Sequence, residues 1–196
     1  MNAAEDHEAR MQALQADMRA KMAAARERKG LLIVHTGDGK GKTTAALGML
    51  LRALGHGHKC AVLQFIKGDR ATAESLLASP LLSWERVGEG FTWDTQDLER
   101  DRAKAREGWN RALKHLADPD LKFLLLDELN IVLAYDYLPE AEVIAALAAK
   151  REDLHVVVTG RGAPPALVAI ADLVTEMKEI KHPFQQGVRA QAGIEF

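Results

Sequence analysis

Lys42 and Thr43 close the run His35-Thr36-Gly37-Asp38-Gly39-Lys40-Gly41-Lys42-Thr43-Thr44, and residues of these types at this spacing can hold a polyphosphate. Glycines admit positive φ, so the backbone can turn several N–H groups inward around phosphate oxygens. Lys42 adds a mobile positive charge and Thr43 a hydroxyl suited to Mg²⁺. Far downstream, Asp127 and Glu128 end the apolar run Phe123-Leu124-Leu125-Leu126. Carboxylates in that position usually partner a phosphate loop: one holds Mg²⁺ directly or through water, and the metal neutralises phosphate charge. The residue types do not say which of the two acids is the inner ligand. Arg161, set between Gly160 and Gly162 after another apolar run, can extend a guanidinium to phosphate, whereas Arg52 has a weaker claim. The candidate nucleotide-binding set is thus Gly37, Asp38, Gly39, Lys40, Gly41, Lys42, Thr43, Thr44, Arg52 and Arg161, with Thr43, Asp127 and Glu128 for the metal. The general pattern G-x-x-x-x-G-K-[ST] asks for glycine where this chain has Thr36, and Gly37 is the candidate to take over the turn.

A loop of this kind works only between a buried strand and a helix, whose N-terminal N–H groups and dipole complete the anion site. Leu31-Leu32-Ile33-Val34 precedes it, and a helix is expected over 42–54, stopped by Gly55 and Gly57. Further strands are expected at 60–66, 84–87, 121–126, 154–159 and 173–177. Helices are expected at 74–78, 96–117, 139–150 and 165–171, the one at 96–117 turning Leu98, Trp109, Leu113 and Leu116 inward. Strands separated by helices imply parallel βαβ units, and their continuous apolar runs imply a sheet covered on both faces. Ligands of such sheets bind beyond the carboxyl ends of the strands, where the loop, Asp127-Glu128 and Gly160-Arg161-Gly162 all fall. The fold class is α/β, a mostly parallel sheet with helices on both faces and an N-terminal helical extension.

That extension, residues 1–29, carries no Gly or Pro and is rich in helix formers. Met11, Leu14, Met18 and Met22 recur at helical spacing. This face can serve as a packed appendage, a dimer contact or a lid over the catalytic domain at 30–196. At 196 residues, 47% apolar and 28% charged, the chain has an ordinary globular composition. A formal net charge of −2 gives no electrostatic case for nucleic acid. One cysteine, Cys60, excludes an internal disulfide and reads as a small buried residue. No apolar stretch reaches membrane-spanning length and the N-terminus lacks a signal-peptide core, so a cytoplasmic protein is expected. The seven histidines show no metal-ligand spacing. The residues so far name a nucleotide and magnesium but no reaction. A phosphoryl-transferring enzyme and a nucleotide-gated binding module both stay open.

Separated segments, in order, narrow the choice. They are the loop at 35–44, Gln64-Phe65-Ile66-Lys67-Gly68, Gly90-Phe91-Thr92-Trp93, Leu126-Asp127-Glu128-Leu129, Ala134-Tyr135-Asp136-Tyr137-Leu138, Thr159-Gly160-Arg161-Gly162 and the tail Lys181-His182-Pro183-Phe184 with Gly187-Val188 and Gly193-Ile194. Through them residues 29–196 closely resemble the ATP:corrinoid adenosyltransferases of the phosphate-loop type. In that family a threonine at position 36 is ordinary. The resemblance implies a RecA-like sheet and a homodimer. It implies transfer of the 5′-deoxyadenosyl group of ATP to the cobalt(I) of a reduced corrinoid (cobalamin or a cobinamide type), with release of triphosphate and a flavoprotein as reductant. It implies ATP lying in the loop in a reversed sense, with Lys42, Thr43 and Glu128 as catalytic residues and Mg²⁺ on Thr43 and Glu128. It also gives Phe91 and Trp93 a corrinoid role, displacing the lower axial ligand so that cobalt(II) is more easily reduced. Some members carry a segment over the corrinoid site where this chain has its N-terminal helix.

Overall fold

The computed structural model describes residues 3–66, 74, 78–87 and 97–194. The expected helix at 74–78 falls mostly outside these residues. Among them, the strands β1 (Leu32–Thr36), β2 (Lys59–Gln64), β3 (Leu82–Arg86), β4 (Leu121–Asp127), β5 (His155–Thr159) and β6 (Leu173–Glu176) form one sheet in the order β3-β2-β4-β5-β1-β6. Every pairing is parallel. Parallel strands need crossovers, which the helices provide. On crossovers lie α2 (Lys42–Gly55), α3 (Leu98–Ala117), α4 (Leu129–Ala134), α5 (Glu140–Ala148) and α6 (Pro165–Ile170), whereas α1 (Ala3–Ala24) precedes β1 and a 3₁₀ turn at Pro183–Gln186 follows β6.

Alternation along the strands divides the core into two layers. Ile33, Cys60, Val62, Phe123, Leu125 and Val157 face Ala46 and Leu50 of α2. Their strand neighbours Val34, Ala61, Leu63, Leu124, Leu126 and Val158 pack with Trp109, Leu129, Val132, Val143, Leu147 and Leu167 on the other side. Both faces of the central strands β2, β4, β5 and β1 are therefore dry, which is why these read as apolar runs, while the edge strands β3 and β6 are more exposed.

Two expectations need correction. On α3, Trp109 and Leu116 do turn inward, but Leu98 and Leu113 are exposed, and Ala105, Gly108 and Ala112 take the inner stripe. Small residues are required there because α3 lies close on the sheet: a Cβ on Gly108 would come within 2.9 Å of Phe65 and Val87. The short helix α4 was not anticipated, since six residues are too few to show a period. The helix expected at 139–150 does open on Pro139, and α3 starts at Leu98, capped by Asp97. Pro139 sits at the N-cap of α5, and the Asp97 carboxylate accepts from Arg100 N at 3.1 Å.

α1 projects its Met11, Leu14, Met18 and Met22 side chains into solvent, Met22 at 71% exposure. Buried Cys60 has its thiol pushed up to about 11 by burial, so it behaves as a core residue and not as a nucleophile. At the opposite end of the sheet from the loop, Leu31 N donates to His155 Nδ1 at 3.1 Å, so that nitrogen must stay unprotonated. Burial first, then the nearby Lys150 and His58 charges, push the His155 pKa down. The unfolded chain thus binds a proton before the native one does, and stability falls as pH drops below about 6.5. His155→Gln should flatten the part of this decline that lies between pH 7 and 5, measured by urea unfolding midpoints across that range.

Candidate active site

Gln64, Asp127 and Thr159 are the terminal residues of three adjacent strands, β2, β4 and β5. The period of two puts all three on the α2 side, two places beyond Val62, Leu125 and Val157. All are buried, Asp127 and Thr159 completely. The first turn of α2 meets them: Thr43 Oγ1 donates to Asp127 Oδ1 at 2.8 Å. Thr159 Oγ1 donates to the same oxygen at 2.7 Å, and Gln64 Nε2 donates to Asp127 Oδ2 at 3.0 Å. Thr159 also accepts from Glu128 N at 3.0 Å, which ties the start of α4 to the end of β5. Three neutral donors thus converge on one buried carboxylate.

The loop is built as its glycines require. Thr36 stays in β1, paired with Glu176, and its Oγ1 accepts from Ala163 N at 3.1 Å. Gly37 makes the turn at φ 89, and Gly41 enters α2 at φ 104. The loop lies against the chain leaving β6: Gly39 N donates to Met177 O at 2.7 Å. A Cβ on Gly37 would sit 2.4 Å from Met177 O, and one on Gly39 2.7 Å from the Lys178 backbone. Lys42 is 8% exposed, and its ammonium donates to Gly37 O at 2.7 Å and Gly39 O at 2.6 Å. His35 is buried beneath, its Nδ1–H donating to Lys42 O at 3.2 Å, so this histidine is structural.

Burial lowers the Lys42 pKa. Glu128 opposes this, Arg161 adds to it, Asp38 opposes and Lys40 adds, in decreasing order. Those four side chains therefore surround the loop electrostatically. Arg161 Nη2 also donates to Asp38 O at 3.2 Å, bringing the Gly160-Arg161-Gly162 turn to the loop as the sequence implied. Glu128 takes φ 65 directly after β4. Asn130 pins α4 to this turn, Nδ2 donating to Gly160 O at 3.0 Å.

Other candidates stand elsewhere. Thr44 is exposed on α2, one place beyond the Thr43–Asp127 contact. Arg52 is exposed in the last turn of α2, about 15 Å along the axis from Lys42, and is not brought to the loop of its own chain. Phe91 and Trp93 lie outside the described residues. Gln64, Thr159 and Asn130 were not singled out as site residues. The available signal was a polar residue at or just beyond the carboxyl end of an apolar strand.

Among the described residues no cluster of three or more His, Cys, Asp or Glu forms a metal centre, and no helix is long and apolar enough to cross a membrane. The hard oxygens of Thr43 and Asp127 match the few protein ligands that Mg²⁺ takes when phosphates supply the rest.

The sequence of this chain matches the family model described as ATP:corrinoid adenosyltransferase BtuR/CobO/CobP over residues 28–196. It is 49% identical over 193 residues to a corrinoid adenosyltransferase of Pseudomonas aeruginosa, covering 97% of this chain and 95% of that one. A Sinorhizobium corrinoid adenosyltransferase is 49% identical over 180 residues, 89% of this chain and 84% of its own. One from Escherichia coli K12 is 45% identical over 193 residues, 98% of each. With this loop, this acid and this breadth of similarity, the chain belongs to the ATP:corrinoid adenosyltransferase family and is an enzyme that transfers the adenosyl group of ATP to a corrinoid.

Proposed function

We propose that the loop holds the triphosphate of ATP as an intact leaving group, and that Lys42, Thr43, Asp127 and Glu128 serve its departure. The observation that carries this reading is the convergence of Lys42, Thr43 and the Asp127 carboxylate at one end of the sheet. Cobalt(I) is already a strong nucleophile, so no residue has to activate one. The cobalt–carbon bond forms at the 5′ carbon as the carbon–oxygen bond breaks, and the electron pair leaves on the triphosphate. The protein then has two tasks. It must hold the 5′ carbon in line with cobalt, an orientation effect worth several kcal/mol. It must also stabilise charge on the departing oxygen, for which Lys42 and the loop N–H groups are suited. ATP lying in a reversed sense puts the ribose 5′ carbon, and not the γ-phosphate, at the reacting end.

Mg²⁺, bound by Thr43 with Asp127 or Glu128, supplies neutralisation of phosphate charge. Replacing Thr43 with alanine should raise the Mg²⁺ concentration for half-maximal rate by about tenfold, read from a metal titration at saturating ATP. An unchanged requirement would remove Thr43 from the metal's ligands.

The aromatic pair belongs to the same reading. In sequence Phe91 and Trp93 follow β3, whose carboxyl end lies on the side of the sheet that carries the loop. Rings that displace the lower axial ligand of cobalt would ease reduction of cobalt(II) by a flavoprotein. Trp93→Ala should then slow turnover from cob(II)alamin under a flavoprotein reductant by at least tenfold, yet largely spare prereduced cob(I)alamin. Equal loss with both substrates contradicts the role.

A homodimer is supported by unpartnered apolar side chains on α1 and at Ile180, Phe184 and Ile194 of the tail, between 76% and 88% exposed in the tail. The family match begins at residue 28, leaving α1 outside it, as a lid or a dimer contact distinct from the catalytic domain at 30–196.

A further inference from the structure

We propose that Trp84, on the edge strand β3, is a positioning residue for the metal-binding carboxylate, acting through Gln64. This rests on the placement of the metal at Thr43 and Asp127. Trp84 pairs in register with Val62, so Gln64 is its diagonal neighbour on the α2 face. Its indole Nε1–H donates to Gln64 Oε1 at 3.1 Å, and Gln64 Nε2 donates to Asp127 Oδ2 at 3.0 Å. Only one polarity satisfies this chain. An indole nitrogen can only donate, and an ionised carboxylate can only accept, so the amide oxygen must face Trp84 and the amide nitrogen must face Asp127. Gln64 is 1% exposed, which leaves its amide no solvent alternative.

The opposite oxygen of the same carboxylate is the one that meets Thr43 and Thr159. Orientation of the amide therefore sets orientation of the carboxylate at the metal. Without the indole N–H, the buried Gln64 Oε1 has lost its donor, and the amide shifts to recover one, which loosens the Nε2–H contact that holds Asp127 Oδ2. The ring itself packs with the α2-side core, so phenylalanine keeps an aromatic ring there and removes the donor, while metal-free ATP affinity reports any effect of the smaller ring.

The test is calorimetric affinity for Mn·ATP and for metal-free ATP in EDTA, on wild type, Trp84→Phe, Gln64→Ala and the double variant, with Thr43→Ala as control. Trp84→Phe should weaken Mn·ATP by about tenfold, the low end of outer-shell effects on metal sites, and leave metal-free ATP unchanged. In the Gln64→Ala background the same substitution should have no further effect. Wild-type Mn·ATP affinity in Trp84→Phe, equal loss for both ATP forms, or a full additional loss in the Gln64→Ala background would each overturn the inference. A wild type that does not prefer Mn·ATP, or a preference that survives Thr43→Ala, would overturn the metal placement itself and this inference with it.

Discussion

Lys42→Ala lowers kcat/KM for ATP in corrinoid adenosylation by about a hundred- to a thousandfold, the range seen when one preorganised donor to developing charge is removed. The side chain is nearly buried and held between the Gly37 and Gly39 carbonyls, so its ammonium is fixed inside the loop before any substrate arrives. Its lowered pKa, caused chiefly by burial and opposed by Glu128, marks a charge kept in a poorly solvated place, where it acts strongly on a triphosphate. Lys42→Arg should not rescue the loss. A planar fork is larger than an ammonium and does not fit between two carbonyls set for a point charge. Initial rates with prereduced corrinoid over a range of ATP concentrations give the number. A Lys42→Ala enzyme within threefold of wild type would remove Lys42 from the mechanism.

Asp127→Ala should be costly in a second way, to the fold as well as to the reaction. Thr43, Thr159 and Gln64 all donate to this completely buried carboxylate, and truncation leaves their donors without it. Each stranded donor costs about 1–3 kcal/mol, partly recovered by rearrangement, so a net loss of about 3 kcal/mol is expected. In a chain of this size that corresponds to a Tm drop on the order of 10 °C. Asp127→Asn keeps the shape but turns an NH₂ toward at least one donor, so it should fall between alanine and wild type. Both variants should also need more Mg²⁺. Calorimetric melting of the three proteins decides this, and an Asp127→Ala enzyme as stable as wild type would contradict the network.

The loop, the acid-bearing strand and the Gly160-Arg161-Gly162 turn were legible in the sequence because each is a short local pattern at the end of an apolar run. Gly37 replaces the expected glycine at Thr36, as positive φ at that single residue shows. The reason the loop tolerates only glycine at 37 and 39 was not legible, since it lies in Met177 and Lys178, far along the chain. Likewise, alternation could have put Gln64 and Thr159 on one face with Asp127, but only strand order makes them neighbours. The sheet order β3-β2-β4-β5-β1-β6 is a tertiary fact that no local period encodes. On α3 helical spacing alone turns Leu98 and Leu113 inward, whereas close approach to Phe65 and Val87 selects Gly108 and alanines. Arg52 follows the loop closely in sequence, yet the helix rise carries it away from there.

The most direct test of the central claim is anaerobic incubation with chemically reduced cob(I)alamin, ATP and Mg²⁺, following the corrinoid spectrum and identifying the phosphate product. The account predicts adenosylcobalamin with an equimolar amount of triphosphate, because the loop holds a leaving group and no phosphoryl group moves. ADP and phosphate beside an unchanged corrinoid would contradict it and return the loop to conventional phosphoryl transfer.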